Sequence, residues 1–349
     1  MMFASDNASG AHPAVLEALV VANAGAAMPY GNDAATARVE DMIREIFEAP
    51  RARVLLVATG TAANAITLAG LCPPWSAIYC HDIAHIEIDE CNAPEFYTGG
   101  AKLAHVAGDH AMMGPDALEA RLAISGPGVV HMAQPGAVSI TQATERGAVY
   151  PVEAIARLAA IANAHGLPVH MDGTRLANAL AATGASPAEM THRAGVDVLC
   201  LGATKAGVMA AEAIVLFEPE ARPNLAWELE LRRKRGGHLF SKMRFVAAQL
   251  EAWLSDGLWL ELAAHANAMA SRLHDGLAGL GLVADTPPGA NLMYLHLPGP
   301  THAALQAAGA VYYTHDRPFG AVEARLVTSW STTPAEVETF LATCHTAAA

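Results

Sequence analysis

Of the four lysines in the chain, Lys102, Lys205, Lys234 and Lys242, one is set apart by its neighbours. Lys102 follows Gly99-Gly100 in an expected loop, Lys234 belongs to the basic run Arg232-Arg233-Lys234-Arg235, and Lys242 sits on a mixed helical stretch. Lys205 follows the apolar run Val196-Asp197-Val198-Leu199-Cys200-Leu201 and is enclosed by Gly202, Ala203, Thr204, Ala206 and Gly207. An ammonium group there loses hydration, its pKa falls, and the amine becomes suited to Schiff-base chemistry. The other reading is a lysine laid along a strand end with its charge in water. A second segment, Ala58-Thr59-Gly60-Thr61-Ala62-Ala63-Asn64, follows a short apolar run and opens an alanine-rich helical stretch. Free N–H groups in a first helical turn, together with the helix dipole, favour an anion. A plain strand-to-helix turn has the same pattern. A third segment, His170-Met171-Asp172-Gly173-Thr174-Arg175, closes another apolar run. Ligand-binding groups gather just beyond such strand ends. A surface turn with a local ion pair is the alternative.

Taken together, an anion cradle, a strand-end carboxylate and a lysine among small residues are the parts that pyridoxal 5'-phosphate requires. Its phosphate must be held, its ring nitrogen kept protonated by an acidic partner, and its aldehyde condensed with an amine. The chain also resembles the L-threonine aldolases, the β-eliminating-lyase-like branch of the fold type I pyridoxal-phosphate enzymes, from Ser5 to about Trp330. The segments that carry the resemblance are Ser5-Asp6-Asn7, Tyr30-Gly31-Asn32-Asp33, Thr59-Gly60-Thr61-Ala62-Ala63-Asn64, Ala84-His85, His170-Met171-Asp172-Gly173-Thr174-Arg175, Gly202-Ala203-Thr204-Lys205 and Ala324-Arg325-Leu326-Val327. The likeness is greatest to low-specificity bacterial aldolases, including those that cleave phenylserine.

The resemblance implies cleavage of L-threonine, L-allo-threonine or related L-β-hydroxy-α-amino acids to glycine and an aldehyde; a β-eliminating lyase or an aminotransferase on the same scaffold is the alternative. It implies that Lys205 carries the cofactor, Asp172 pairs with the ring nitrogen, and Gly60 and Thr61 hold the phosphate. His85 would stack on the ring, and Ser5, Arg175 and Arg325 would bind the substrate carboxylate, with Arg175 also beside the cofactor. It further implies a homo-oligomer, usually a dimer of dimers, with the active site at the subunit interface and Tyr30 supplied by the neighbouring chain. The basic run 232–235 is a candidate to reach the phosphate across that interface. The chain departs from the family in 138–145, which lacks a second active-site histidine; Thr144 stands about where it would fall. The base for the β-hydroxyl is then expected to be a water polarised by His85. His81 and His85 are spaced i, i+4 near acidic residues, but HExxH and a second ligand cluster are missing, and no metal is expected.

These groups need rigid elements to hold them. Short apolar runs at 54–57, 77–80, 129–132, 137–141, 168–171, 196–201 and 213–217 alternate with helical stretches such as 153–165, the sign of βαβ units. The expected architecture is an α/β large domain with a mostly parallel sheet over 1–240 and a smaller C-terminal α+β domain over 241–349. The latter has one long helical stretch at 241–281, strands at 291–297, 311–314 and 325–329, and a last helix capped by Thr333 with Pro334 at its first position. An apolar fraction of 53% and a charged fraction of 16% exclude disorder, and a net charge of −13 argues against nucleic-acid binding. Residues 54–80 carry no charge, yet Thr59, Gly60, Asn64, Pro73 and Pro74 divide them into strand, turn and helix, so no membrane span is expected. The N-terminal residues show no basic region leading into an apolar core, and the five scattered cysteines read as buried thiols; both point to the cytoplasm.

Overall fold

The computed structural model describes residues 1–316 and 321–348. Seven strands, β1 (Arg53–Val57), β2 (Ser76–Cys80), β3 (Lys102–His105), β4 (Gln134–Thr141), β5 (Val169–Gly173), β6 (Val198–Gly202) and β7 (Glu212–Leu216), form one sheet in the order β1-β7-β6-β5-β4-β2-β3. β7 runs against both of its neighbours, and the other pairings are parallel. Every residue of β2, β5, β6 and β7 is buried, as expected of strands covered by helices on both faces. A smaller antiparallel sheet, β8 (Leu292–Pro298), β9 (Tyr313–Asp316) and β10 (Ala321–Val327), has the order β8-β10-β9. The α/β part with its mostly parallel sheet and the smaller C-terminal α+β part are therefore both present.

The uncharged segment 54–80 becomes β1, the helix Gly60–Leu71 and β2. No helix among the described residues is long and apolar enough to cross a membrane. The helix Val152–Ala164 buries Ile155, Leu158, Ala159 and Ala162, the face its spacing predicts.

Four expectations need correction. Residues 129–132 form turns, not a strand. Gly128 takes a φ of +79°, and the Gln134 side chain accepts from Gly128 N–H and donates to the Val129 carbonyl. Val130 is left 89% exposed, so its β-branching has no sheet to pack on. Lys102 opens β3 rather than lying in a loop. The stretch 241–281 is two helices, Met243–Leu254 and Leu258–Gly279, because Asp256 and Gly257 adopt left-handed φ of 53° and 75°. Cys91 is exposed, whereas the other four cysteines are buried.

The N-terminal segment joins both parts of the molecule. Phe3 N–H donates to the Val311 carbonyl at 2.8 Å, Val327 N–H donates to the Phe3 carbonyl at 2.9 Å, and the Phe3 ring meets Phe340 edge-on at 5.2 Å. Nine residues on, His12 N–H donates to the Gly207 carbonyl at the end of the Lys205 turn.

Candidate active site

Asp172 and Lys205 lie at the carboxyl ends of adjacent strands, β5 and β6. Close approach of those ends depends on Gly202: a Cβ there would stand 2.5 Å from the Thr174 Cα, which no side chain can tolerate. β6 runs into a short turn, Thr204–Ala206, closed by Gly207 at φ +96°. The buried Glu212 holds that turn by accepting from Ala203 and Thr204 N–H, and burial pushes its carboxyl up to about 7. Lys205 is drawn below the usual lysine range, first by burial and then by the Arg175 guanidinium.

Asp172 is buried and fully engaged. One carboxylate oxygen accepts from Thr174 N–H at 3.0 Å and Thr174 Oγ1 at 2.6 Å; the other accepts from Asn64 Nδ2 at 3.0 Å. Burial opposes its ionisation, but the charge of His85 and the Thr174 and Asn64 hydrogen bonds prevail and hold it below the usual carboxylate range. Asn64 Nδ2 also donates to Glu90, whose Oε1 lies 2.8 Å from His85 Nδ1. His85, Glu90 and Asp172 thus bring ligand-type atoms within 4.8 Å of one another. The Asn64 amide bonds both carboxylates and the His85 ring bonds Glu90, which accounts for their proximity. Burial would lower the His85 imidazole, but Glu90 and the charge of Asp172 outweigh it and raise it.

Thr59 caps the helix Gly60–Leu71 by accepting from Ala62 N–H, leaving the N–H groups of Gly60 and Thr61 without intrahelical acceptors. They face a cavity of about 240 Å³ that Asn64, His85 and Lys205 also line. An adjoining cavity of about 560 Å³ shares His85 and Lys205 and adds Ser5, Glu145, Arg175 and Arg325. An anion cradle and a partly desolvated lysine thus line adjoining spaces, and the ionised Asp172 carboxylate is hydrogen-bonded to Asn64 and Thr174 in the wall of the smaller one.

Not every expected residue meets the site in the expected way. Arg175 gives its Nε–H and one Nη2–H to Asp6 at 2.7 and 3.0 Å, so Nη1 and the second Nη2–H are left for a further partner. Arg325 stands on β10 with a buried Nε that has no partner. Ser5 lines the larger cavity while its hydroxyl accepts from Asn7 N–H. Tyr30 lies away from both cavities, exposed, at φ 60° with Lys234 Nζ 4.6 Å above its ring. Thr144 is absorbed in its own loop, donating to the His110 carbonyl and accepting from Ala148 N–H. Arg232 and Arg233 are paired with Glu228 and Glu230. The roles of Asp6, Glu90, Glu145 and Glu212 escaped the sequence reading. Asp6 and Glu145 stand within 5–7 and 138–145, but nothing in their spacing marks a buried carboxylate.

The fold and these side chains define a pyridoxal-phosphate-dependent enzyme of fold type I. A family model described as beta-eliminating lyase matches residues 2–298. The chain is 40% identical over 336 residues to a low specificity L-threonine aldolase from a Pseudomonas species, covering 96% of this chain and 94% of that one. It is also 40% identical over 331 residues to the protein of the same name from Pseudomonas aeruginosa, covering 95% and 93%. The solved Leishmania major threonine aldolase superposes with a TM-score of 0.92 at 29% identity, over 100% of this chain and 99% of that one. A serine palmitoyltransferase from Sphingomonas wittichii, at 17% identity and a TM-score of 0.72 over 99% of this chain and 86% of that one, shares the fold. The chain belongs to the beta-eliminating lyase family.

Proposed function

We propose that the protein cleaves L-threonine, L-allo-threonine and related L-β-hydroxy-α-amino acids, phenylserine among them, to glycine and an aldehyde. The observation that carries this is that Lys205, the Gly60–Thr61 cradle and two guanidinium groups, Arg175 and Arg325, line adjoining cavities, with Asp172 hydrogen-bonded to Asn64 and Thr174 in the wall of the smaller one. The 40% identity to two low specificity L-threonine aldolases supports the same reading.

When bound, pyridoxal 5'-phosphate supplies the electron sink that lets a Cα–Cβ bond break with its pair left on Cα. Gly60 and Thr61 N–H groups would hold the phosphate, assisted by the helix dipole. The carboxylate of Asp172 would keep a proton on the ring nitrogen, and the Lys205 amine would hold the cofactor through its aldehyde. His85 would supply a stacking face for the ring. Arg325, the free Nη1 of Arg175 and Ser5 orient the substrate carboxylate, a task suited to planar guanidinium groups. Fixing that carboxylate aligns the bond to be broken.

Incubation of the holoenzyme with L-allo-threonine alone is expected to release acetaldehyde and glycine, with a rate profile spanning L-threonine and phenylserine. Turnover only after a keto acid is added would overturn the aldolase reading. Asp172→Asn is expected to lower kcat by roughly 10²–10³-fold, the scale of losing one preorganised electrostatic partner, with a smaller change in KM. Steady-state kinetics on L-allo-threonine check this.

The same reading includes a homo-oligomer, a homotetramer by resemblance, with Tyr30 reaching a neighbour's site. It is supported by the exposure of Tyr30 away from its own cavities, and by the exposed Leu16, Val20, Val21 and Met28 nearby in sequence. A cytoplasmic location fits the set of free cysteines.

A further inference from the structure

We infer that Glu145 takes the proton of the substrate's β-hydroxyl group. This assignment rests on the aldol-cleavage reading and replaces the water beside His85 that the sequence suggested. The loop carrying Glu145 is fixed against the end of β5: Gln142 N–H donates to the Asp172 carbonyl at 2.8 Å, and Arg175 N–H donates to the Gln142 carbonyl at 3.3 Å. Its carboxylate lines the larger cavity with Lys205, Arg175, Arg325 and Ser5. Oε1 accepts from His85 N–H at 2.6 Å, whereas Oε2 is shielded from solvent and has no hydrogen-bond partner. A shielded carboxylate oxygen without a donor is costly when it carries charge, so this carboxylate, at the wall of the cavity, readily takes up a proton.

The charges around the group suit the task. Burial raises the Glu145 carboxyl, the Asp172 charge adds to the rise, and hydrogen bonding from backbone N–H groups, that of His85 among them, only partly offsets it, leaving it at about 7. Arg175, Tyr150 and Cys80 also face it, and burial keeps the last two protonated well above neutrality. A base titrating near neutrality is effective. His85 is less suited, since Glu90 and Asp172 favour its protonated form. In the step, the hydroxyl O–H bond breaks and its proton joins Glu145. The O–H electron pair becomes the second bond of the aldehyde carbonyl, and the Cα–Cβ pair stays with Cα, which regains a proton to give glycine.

The test compares aldol cleavage with exchange of the glycine α-proton into D₂O, which involves no hydroxyl. In Glu145→Gln holoenzyme, cleavage of L-allo-threonine is expected to fall about 10²–10⁴-fold and to lose its ascending pH limb, while glycine exchange stays within about threefold. The infrared difference spectrum of the wild type across neutral pH should contain a carboxyl band missing from the variant, separate from that of Glu212. Glu145→Asp should keep the pH limb at a reduced rate, and it carries the kinetic test if the glutamine variant fails to fold. Equal loss of cleavage and exchange, an unchanged limb in Glu145→Gln, or an unchanged band overturns the assignment. A wild type that exchanges glycine but cleaves no β-hydroxy-α-amino acid overturns the aldolase reading and this assignment with it.

Discussion

Lys205→Ala is expected to abolish the visible absorbance of lysine-bound cofactor and to lower aldol cleavage on the order of 10⁴-fold or more, as when one member of a unit acting together is removed. The reason lies in the turn that presents it. Glu212 pins Ala203 and Thr204, Gly207 closes the turn, and Gly202 sets it against Thr174, so the amine has one place to stand. Burial and the Arg175 charge favour its neutral form, the one that attacks a carbonyl. None of the other three lysines lines either cavity at the site, so none can substitute from where it stands. Absorbance spectra of the purified variant and an acetaldehyde assay check this; retained cleavage would mean that another amine carries the cofactor.

The second large effect is expected at Asp6. Its side chain is 1% exposed and that of Arg175 is 9%, and the two meet through two hydrogen bonds, with Asn291 donating to the same carboxylate at 3.0 Å. Asp6→Asn keeps the volume and removes the charge, leaving a buried guanidinium uncompensated beside Lys205. Breaking such a pair costs about 3–5 kcal/mol, which should lower Tm by roughly 5–10 °C. Arg175 also loses its orientation, so KM for the amino acid should rise. The pH dependence follows from the same pair. Burial would raise the Asp6 carboxyl, but Arg175, by charge and by hydrogen bond, holds it below its ordinary value of 3.8. That stabilisation is complete above the ordinary value and is lost as pH falls through the lower folded-state one. The wild type should therefore surrender its advantage over Asp6→Asn only in strong acid. Melting curves of both proteins from neutral to acid pH measure this; equal Tm and KM would remove Asp6 from the positioning of Arg175.

The sequence made the sheet and its principal residues legible because buried parallel strands read as apolar runs and their ends carry unusual polar groups. Lys205 stood out among small neighbours, Asp172 at a strand end, and Gly60-Thr61 at the first turn of a helix. Elements exposed on one side were harder. Val129 and Val130 look like strand residues, but Pro127-Gly128 turns them into solvent, while the short edge strand β3 begins at a charged lysine. The buried loop carboxylates were illegible for another reason. Asp6 is paired by Arg175 and Asn291 and Glu145 by His85 N–H, and no local period records a partner 169 residues distant, as Arg175 is from Asp6.

The strap formed by Phe3 and Asp6 sets an order on biosynthesis. Asp6 needs both Arg175 and Asn291, and Phe3 needs Val311 and Val327, so these residues leave the ribosome well before the partners that fix them. Closing so long a loop costs only slightly more entropy than closing a shorter one, but contacts of such separation form slowly. The sheet can assemble while the chain is still growing, whereas the substrate-carboxylate pocket is finished only after translation has passed β10.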